Sequence, residues 1–168
     1  MTDAKNPLYL KQVELGPMEN FIYFIGSKAT REVLVVDPAW QVDIKGALIS
    51  HFHFDHTNGL EELLESVSIP IYVNQKDVPY LDFKSDHIKA VGNGHKVEVG
   101  DIEVELIHTP GHTPGSQCFH VQSCLVSGDT LFINACGRCD LPGGDPKEMY
   151  YSLTQKLMKF DDSTVLCP

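Results

Sequence analysis

Four metal-competent side chains fall within six residues, His51-Phe52-His53-Phe54-Asp55-His56, directly after the short apolar run Ala47 to Ser50. Side chains alternate faces along an extended segment, so His51 and His53 point one way and the two phenylalanines the other. Asp55 and His56 fall where the chain must turn. Thr57-Asn58-Gly59 is a helix-start or turn signal, and Leu60, Leu63 and Leu64 follow at helical spacing. The segment therefore predicts a pincer of imidazoles backed by apolar packing, carried by a strand end and the loop after it. Neutral imidazoles suit zinc, iron, copper and nickel, and a neighbouring carboxylate adds a harder oxygen ligand.

At 168 residues the chain is read as one domain, residues 1–168, large enough to bury a substantial core. With 42% hydrophobic and 21% charged residues it reads as globular and not as disordered. Its net charge of −10 argues against nonspecific binding to nucleic acid or to anionic membranes. Met1 to Pro7 has no apolar signal-peptide core, and no apolar run reaches membrane-spanning length, so a cytoplasmic location is expected. Five irregularly spaced cysteines fit reduced thiols better than a disulfide framework. Cys136-x-x-Cys139 has no second pair to complete a zinc site.

Strands are expected over Leu8 to Leu15, Phe21 to Ile25, Val33 to Asp37 and Ile71 to Val73, with the Gly16-Pro17 break between the first two. Gln75 to Gly94 is polar and poorly periodic. Lys96 to Val99 and Ile102 to Leu106 alternate strictly about Gly100-Asp101, which predicts a hairpin with one buried face, and Cys118 to Val121 with Cys124 to Ser127 predict another. Asp145-Pro146-Lys147-Glu148 combines an N-cap, a proline at the first helical position and a glutamate at the third. Met149, Leu153, Leu157 and Phe160 then share a face of the helix it opens. Many strands with few helices between them suggest two packed sheets with helices outside.

Two further segments repeat the arrangement of a strand running into a loop with a metal-competent side chain. In Leu106 to Ser116, prolines and glycines shape a tight loop that presents His112, while His108 on or beside the strand is structural or supports a ligand. In Leu125 to Phe132, Asp129 follows an apolar strand and a glycine. It either caps a turn or is a buried carboxylate in need of a cation or hydrogen-bond donors.

Taken in order, His51-x-His53-x-Asp55-His56, Thr109-Pro-Gly-His112-Thr-Pro-Gly-Ser116 and Ser127-Gly-Asp129-Thr-Leu-Phe132 resemble the metallo-β-lactamase-fold hydrolases. The resemblance is in particular to the branch containing glyoxalase II (hydroxyacylglutathione hydrolase) and persulfide dioxygenase, and it runs from about Leu8 to the last residue. It implies an α+β fold, an αββα sandwich of two mostly antiparallel sheets flanked by helices, with metals at one edge. By the same resemblance His51, His53 and His112 hold a first metal, Asp55 and His56 a second, and Asp129 bridges them.

The expected chemistry is hydrolysis of a small acyl-thiol, such as an acyl-glutathione, by metal-bound hydroxide with zinc as the metal. Asp55 would orient the water as well as bind metal, and Asp37, an acid ending an apolar strand, would receive an imidazole N–H. Arg138 could meet a substrate carboxylate, or form a surface salt bridge. Two departures from the family pattern stand out. A late metal-binding histidine in a Pro-Gly-His context is expected just where the sequence reaches Thr164 to Pro168, which makes the second metal conditional. Only the nine residues Pro38 to Gly46 connect two strands expected to be parallel, where the family has a helix. Two alternatives follow: an iron-dependent persulfide dioxygenase using His51, His112 and Asp129, or a metal-binding fold member that turns nothing over.

Overall fold

The computed structural model describes residues 7–15, 20–30, 32–37 and 44–168. Strands β1 (Leu8–Leu15), β2 (Asn20–Ser27), β3 (Val33–Val36), β4 (Ile44–Leu48), β5 (Ile71–Asn74) and β6 (Ile88–Val91) form a six-stranded sheet in that spatial order. The β1–β2 and β2–β3 ladders are antiparallel, and the three ladders from β3 to β6 are parallel. The predicted parallel neighbours β3 and β4 are therefore paired. Residues 38–43 of their connection, like the Gly16-Pro17 break and the first six residues, lie outside the described part.

A second sheet contains β7 (His95–Val99), β8 (Ile102–His108), β9 (Gln117–Val121) and β10 (Cys124–Val126), joined as antiparallel neighbours. A small hairpin of β11 (Leu131–Phe132) and β12 (Ala135–Cys136) follows, and β13 (Val165–Cys167) returns to pair in parallel with β10. Both predicted hairpins are present. The strand β6 is a departure from expectation, lying inside the polar stretch read as irregular. Its two central residues, Lys89 and Ala90, are solvent-exposed at the sheet edge, so burial left no alternating pattern to read.

Alternation along the strands builds the layers. In β3, Leu34 and Val36 face the second sheet and Val35 faces outward, because neighbouring side chains project to opposite faces. The inter-sheet core joins Ile25, Leu34 and Leu48 of the first sheet to Val104, Leu106 and Phe119 of the second. The outer face of the first sheet is covered by the helix α2 (Leu60–Ser66), whose Leu60 and Leu63 pack on Val35, Ala47 and Ile71. It follows the one-turn helix α1 (Phe54–Thr57). The outer face of the second sheet is covered by α3 (Pro146–Tyr151) and the turns after it, through Leu153, Leu157 and Phe160. These four layers are the αββα sandwich.

The predicted start of α3 is observed in detail: the Asp145 carboxylate accepts from the Lys147 and Glu148 N–H groups, and Pro146 opens the helix. The helix does not continue as a uniform α-helix. It widens into a π turn over Ser152–Lys156, where the buried Ser152 hydroxyl donates to the Pro110 carbonyl at 2.7 Å, and closes in a 3₁₀ turn over Leu157–Lys159. Ser152 thereby ties the outer helix to the loop that carries His112. No described helix is long and apolar enough to cross a membrane.

Candidate metal centre

The two sheets are joined directly at one end. The Gln117 backbone N–H donates to the Ser50 carbonyl at 2.9 Å, and its side-chain amide donates to the Ile49 carbonyl at 2.8 Å. Around this junction the chain leaves β4 into His51 to His53, leaves β8 into the His112 loop, and leaves β10 into Asp129. The three ligand-bearing segments of the sequence therefore meet at a single sheet edge.

The ligand atoms form two adjoining groups, His51 with His53 and His112, and His51 with His56 and Asp129, each within 4.8 Å. His53 Nδ1 and His112 Nε2 face each other at 3.0 Å. Asp129 reaches both groups, with one oxygen 3.5 Å from His112 Nε2 and the other 3.5 Å from His56 Nε2. Asp55 lies 3.7 Å from His56 Nε2, beside the second group. The site borders a cavity of ≈ 290 Å³, in which Asp37, Asp55, His56 and Asp129 meet Phe21 and Phe132.

Protein contacts decide which imidazole nitrogen faces inward. His112 Nδ1 lies 2.7 Å from the Arg138 carbonyl, an acceptor, so Nδ1 carries the proton and Nε2 offers a lone pair to the centre. His56 Nδ1 is tied to Asp37 at 3.0 Å, which turns its Nε2 inward in the same way. Asp37 also accepts from the Ser50 N–H at 3.1 Å and the Ser50 hydroxyl at 2.9 Å. That hydroxyl is 3.1 Å from His51 Nδ1. This strand-ending acid meets an imidazole nitrogen, as its position suggested, and through Ser50 it also reaches the other half of the site. It does so from a left-handed backbone conformation, φ 50°, uncommon for a residue other than glycine.

Electrostatics favour a cation here. His51 Nε2 is buried with no hydrogen-bond partner among the described residues, a costly state for a polar atom unless something else binds it. Burial, and then the neighbouring imidazoles, push the His51 pKa well down and lower that of His53, so both rings are neutral and ligand-competent near pH 7. At His56 burial disfavours the charged form, but the hydrogen bond and charge of Asp37, with Asp129 and Asp55, outweigh it and raise the pKa to about 9. The imidazoles of His51, His53 and His112 with the Asp129 carboxylate are a donor set for zinc or iron. The residues present therefore fit a divalent metal.

Other predicted residues have different placements. Arg138 acts at the site through its backbone, while its exposed guanidinium forms a two-pronged ion pair with Asp140 at 2.7 and 2.8 Å. His108 Nε2 lies 2.9 Å from the Pro114 carbonyl and holds the His112 loop, one of the two roles open to it from the sequence. His95 and His120 pack against Tyr72 and Phe160. All five cysteines are free.

Gly137 was not singled out from the sequence, yet a Cβ there would lie 1.8 Å from the Asp129 carbonyl oxygen and 3.2 Å from His112 Nδ1. Gly137→Ala must therefore move backbone that supports both ligands. We expect zinc affinity, read by competition with a chromophoric chelator, to fall by more than about tenfold, at the lower end of effects from supporting residues. Wild-type affinity would show that the loop relaxes without disturbing the ligands.

Two packed sheets with helices outside, and imidazoles and carboxylates gathered at one edge, define a metal-binding αββα protein. Residues 41–168 match the Metallo-beta-lactamase superfamily, and the chain belongs to it. The chain is 34% identical over 162 residues to a hydroxyacylglutathione hydrolase of Shewanella halifaxensis, covering 89% of this chain and 61% of that protein. It is 27% identical over 146 residues to the probable polyketide biosynthesis zinc-dependent hydrolase PksB of Bacillus subtilis (strain 168), covering 80% of this chain and 65% of the relative. The chain thus spans about two thirds or less of the length of these relatives. Among solved structures, ETHE1 from Myxococcus xanthus superposes with a TM-score of 0.81 at 26% identity, covering 94% of this chain and 73% of that one.

Proposed function

We propose that this chain is a metal-dependent hydrolase of small acyl-thiol conjugates, with an acyl-glutathione as the representative substrate. The observation that carries the proposal is the convergence of His51, His53 and His112 nitrogens, with Asp129 reaching from them to His56. The similarity to a hydroxyacylglutathione hydrolase supports a thioester as substrate. Zinc is the proposed metal, in keeping with the zinc-dependent hydrolase among the relatives. A divalent cation supplies a Lewis acid for a carbonyl oxygen and lowers the pKa of water.

The protein's own contribution is orientation. Arg138 and Asp37 each accept an imidazole N–H and so aim the opposite nitrogen inward, a support that sets ligand basicity and ring direction. Asp55, about one third exposed at the cavity and 3.7 Å from His56, is the proposed acceptor that orients a water. Its place beside the cavity leaves the acyl group room to approach. The Arg138 guanidinium, engaged by Asp140, binds a substrate carboxylate only by exchanging that partner.

Zinc-loaded protein should hydrolyse an acyl-glutathione, with release of free thiol followed by a thiol-reactive dye. Chelation should remove the activity and zinc restore it. Zinc-loaded protein that leaves a panel of acyl-thiols intact would rule the proposal out.

The likeness to ETHE1 supports a second reading, an iron-dependent persulfide dioxygenase using His51, His112 and Asp129. The 3.5 Å approach of His112 to Asp129 is compatible with that set. Oxygen uptake with glutathione persulfide by iron-loaded protein, and iron in place of zinc on elemental analysis, would select it.

A further inference from the structure

Asp77 lies just after β5, outside every segment that carries a ligand, and is fully buried. A carboxylate withdrawn from water costs several kcal/mol unless its oxygens are satisfied. Those of Asp77 are satisfied by donors from two separate loops. Its Oδ2 accepts from the Phe52 N–H at 3.0 Å and from the Thr113 hydroxyl at 2.7 Å, and its Oδ1 accepts from the Gly115 N–H at 2.6 Å. Phe52 stands between His51 and His53, and Thr113 follows His112. Each donor is therefore one covalent step, or a few, from a ligand.

We propose that Asp77 is the positioning residue that sets the His51–His53 segment against the His112 loop, so that their nitrogens converge before a metal arrives. Two local features fit this role. A Cβ on Gly115 would lie 2.5 Å from the Asp77 carboxyl carbon and Oδ1, so the loop reaches the carboxylate only because glycine is there. Tyr80, in the turn that Asp77 opens, stacks on the Phe52 ring at 5.0 Å and 26°, holding the residue between the two histidines by its ring as well as its amide. The loops have backbone N–H groups in need of acceptors, and one carboxylate with two oxygens can serve both loops at once.

The proposal rests on the three histidines being a metal site, but not on the substrate. It is tested on metal binding, so its failure and that of the hydrolase reading are separate. Asp77→Asn is nearly isosteric, yet it supplies one oxygen where the Phe52 and Gly115 N–H groups approach different oxygens. One loop must therefore lose its acceptor and face an amide N–H. We expect zinc affinity, measured by chelator competition, to weaken about 10- to 100-fold, the range for residues that orient ligands. The visible absorption of the cobalt-substituted protein should change with it.

Ile71→Val, in the strand leading to Asp77, serves as a control for simple destabilisation and should keep wild-type affinity and spectrum. If Asp77→Asn is recovered unfolded, Thr113→Val, which deletes one donor on the His112 side, should still weaken zinc binding by about tenfold. Wild-type zinc affinity and an unchanged cobalt spectrum in Asp77→Asn, or in Thr113→Val where the first does not fold, would overturn the proposal. So would an equal loss in Ile71→Val.

Discussion

Replacing His112 with alanine is expected to strip the protein of bound metal and to lower metal-dependent turnover by more than about 100-fold, beyond the usual effect of losing a supporting residue. His112 is nearly fully buried and faces both halves of the centre, at 3.0 Å from His53 Nδ1 and 3.5 Å from Asp129. Removing it leaves His51 Nε2, already without a hydrogen-bond partner among the described residues, in a cluster with one fewer nitrogen. The Arg138 carbonyl loses its donor in the same step. His56→Ala should differ in kind, because the His51, His53 and His112 group keeps all its members. Metal per chain after gel filtration, measured beside thiol release, separates the two variants. If His112→Ala retains a full complement of zinc, the site has been assigned to the wrong residues.

The parts of this centre that are legible in sequence are those in which several donors crowd into one short segment. His51, His53, Asp55 and His56 announce themselves by spacing alone. His112 and Asp129 stand out because each follows a strand and enters a loop rich in glycine or proline. Asp37 is visible as an acid closing an apolar strand, although its contact with His56, nineteen residues on, is a product of the β3–β4 pairing. Asp77 is not visible at all. It falls in the stretch from Gln75 to Gly94 that reads as polar and poorly periodic, and its partners Phe52, Thr113 and Gly115 are 25, 36 and 38 residues away. Nothing local distinguishes such a carboxylate from a solvated one.

The same division runs through the fold. Val99-Gly100-Asp101-Ile102 and Asp145-Pro146 carry their structure in adjacent residues, and both are observed as expected. The strand β6 depends on a parallel partner seventeen residues earlier in sequence and buries little at its centre, so neither periodicity nor turn chemistry marks it. The π turn after α3 has a comparable origin. Leu153, Leu157 and Phe160 pack on the second sheet as their spacing predicts, whereas the buried Ser152 contact to Pro110 belongs to tertiary packing.

Phe119→Ala should produce the largest loss of stability among single side-chain deletions in this core. Phe119 is the bulkiest of the fully buried side chains among the described residues and sits where the two sheets meet, among Leu34, Leu48, Val104 and Leu106. Deleting a buried phenyl ring costs about 3–5 kcal/mol, from lost transfer energy and the cavity left behind. For a domain of this size each kcal/mol moves the melting temperature by roughly 2–4 °C, so a fall of about 6–20 °C is expected. Bound zinc adds a term set by its own concentration and affinity. The fall should therefore persist in both zinc-loaded and metal-stripped protein, provided the site is intact. That proviso has a structural basis: Phe119 is two residues from Gln117, yet Gln117 is held to Ser50 and Ile49 by hydrogen bonds that do not involve the ring. Calorimetry of both forms decides the matter. A fall of under about 2 °C would contradict a tightly packed interface, while zinc affinity lost in step with stability would mean that core and centre act as one unit.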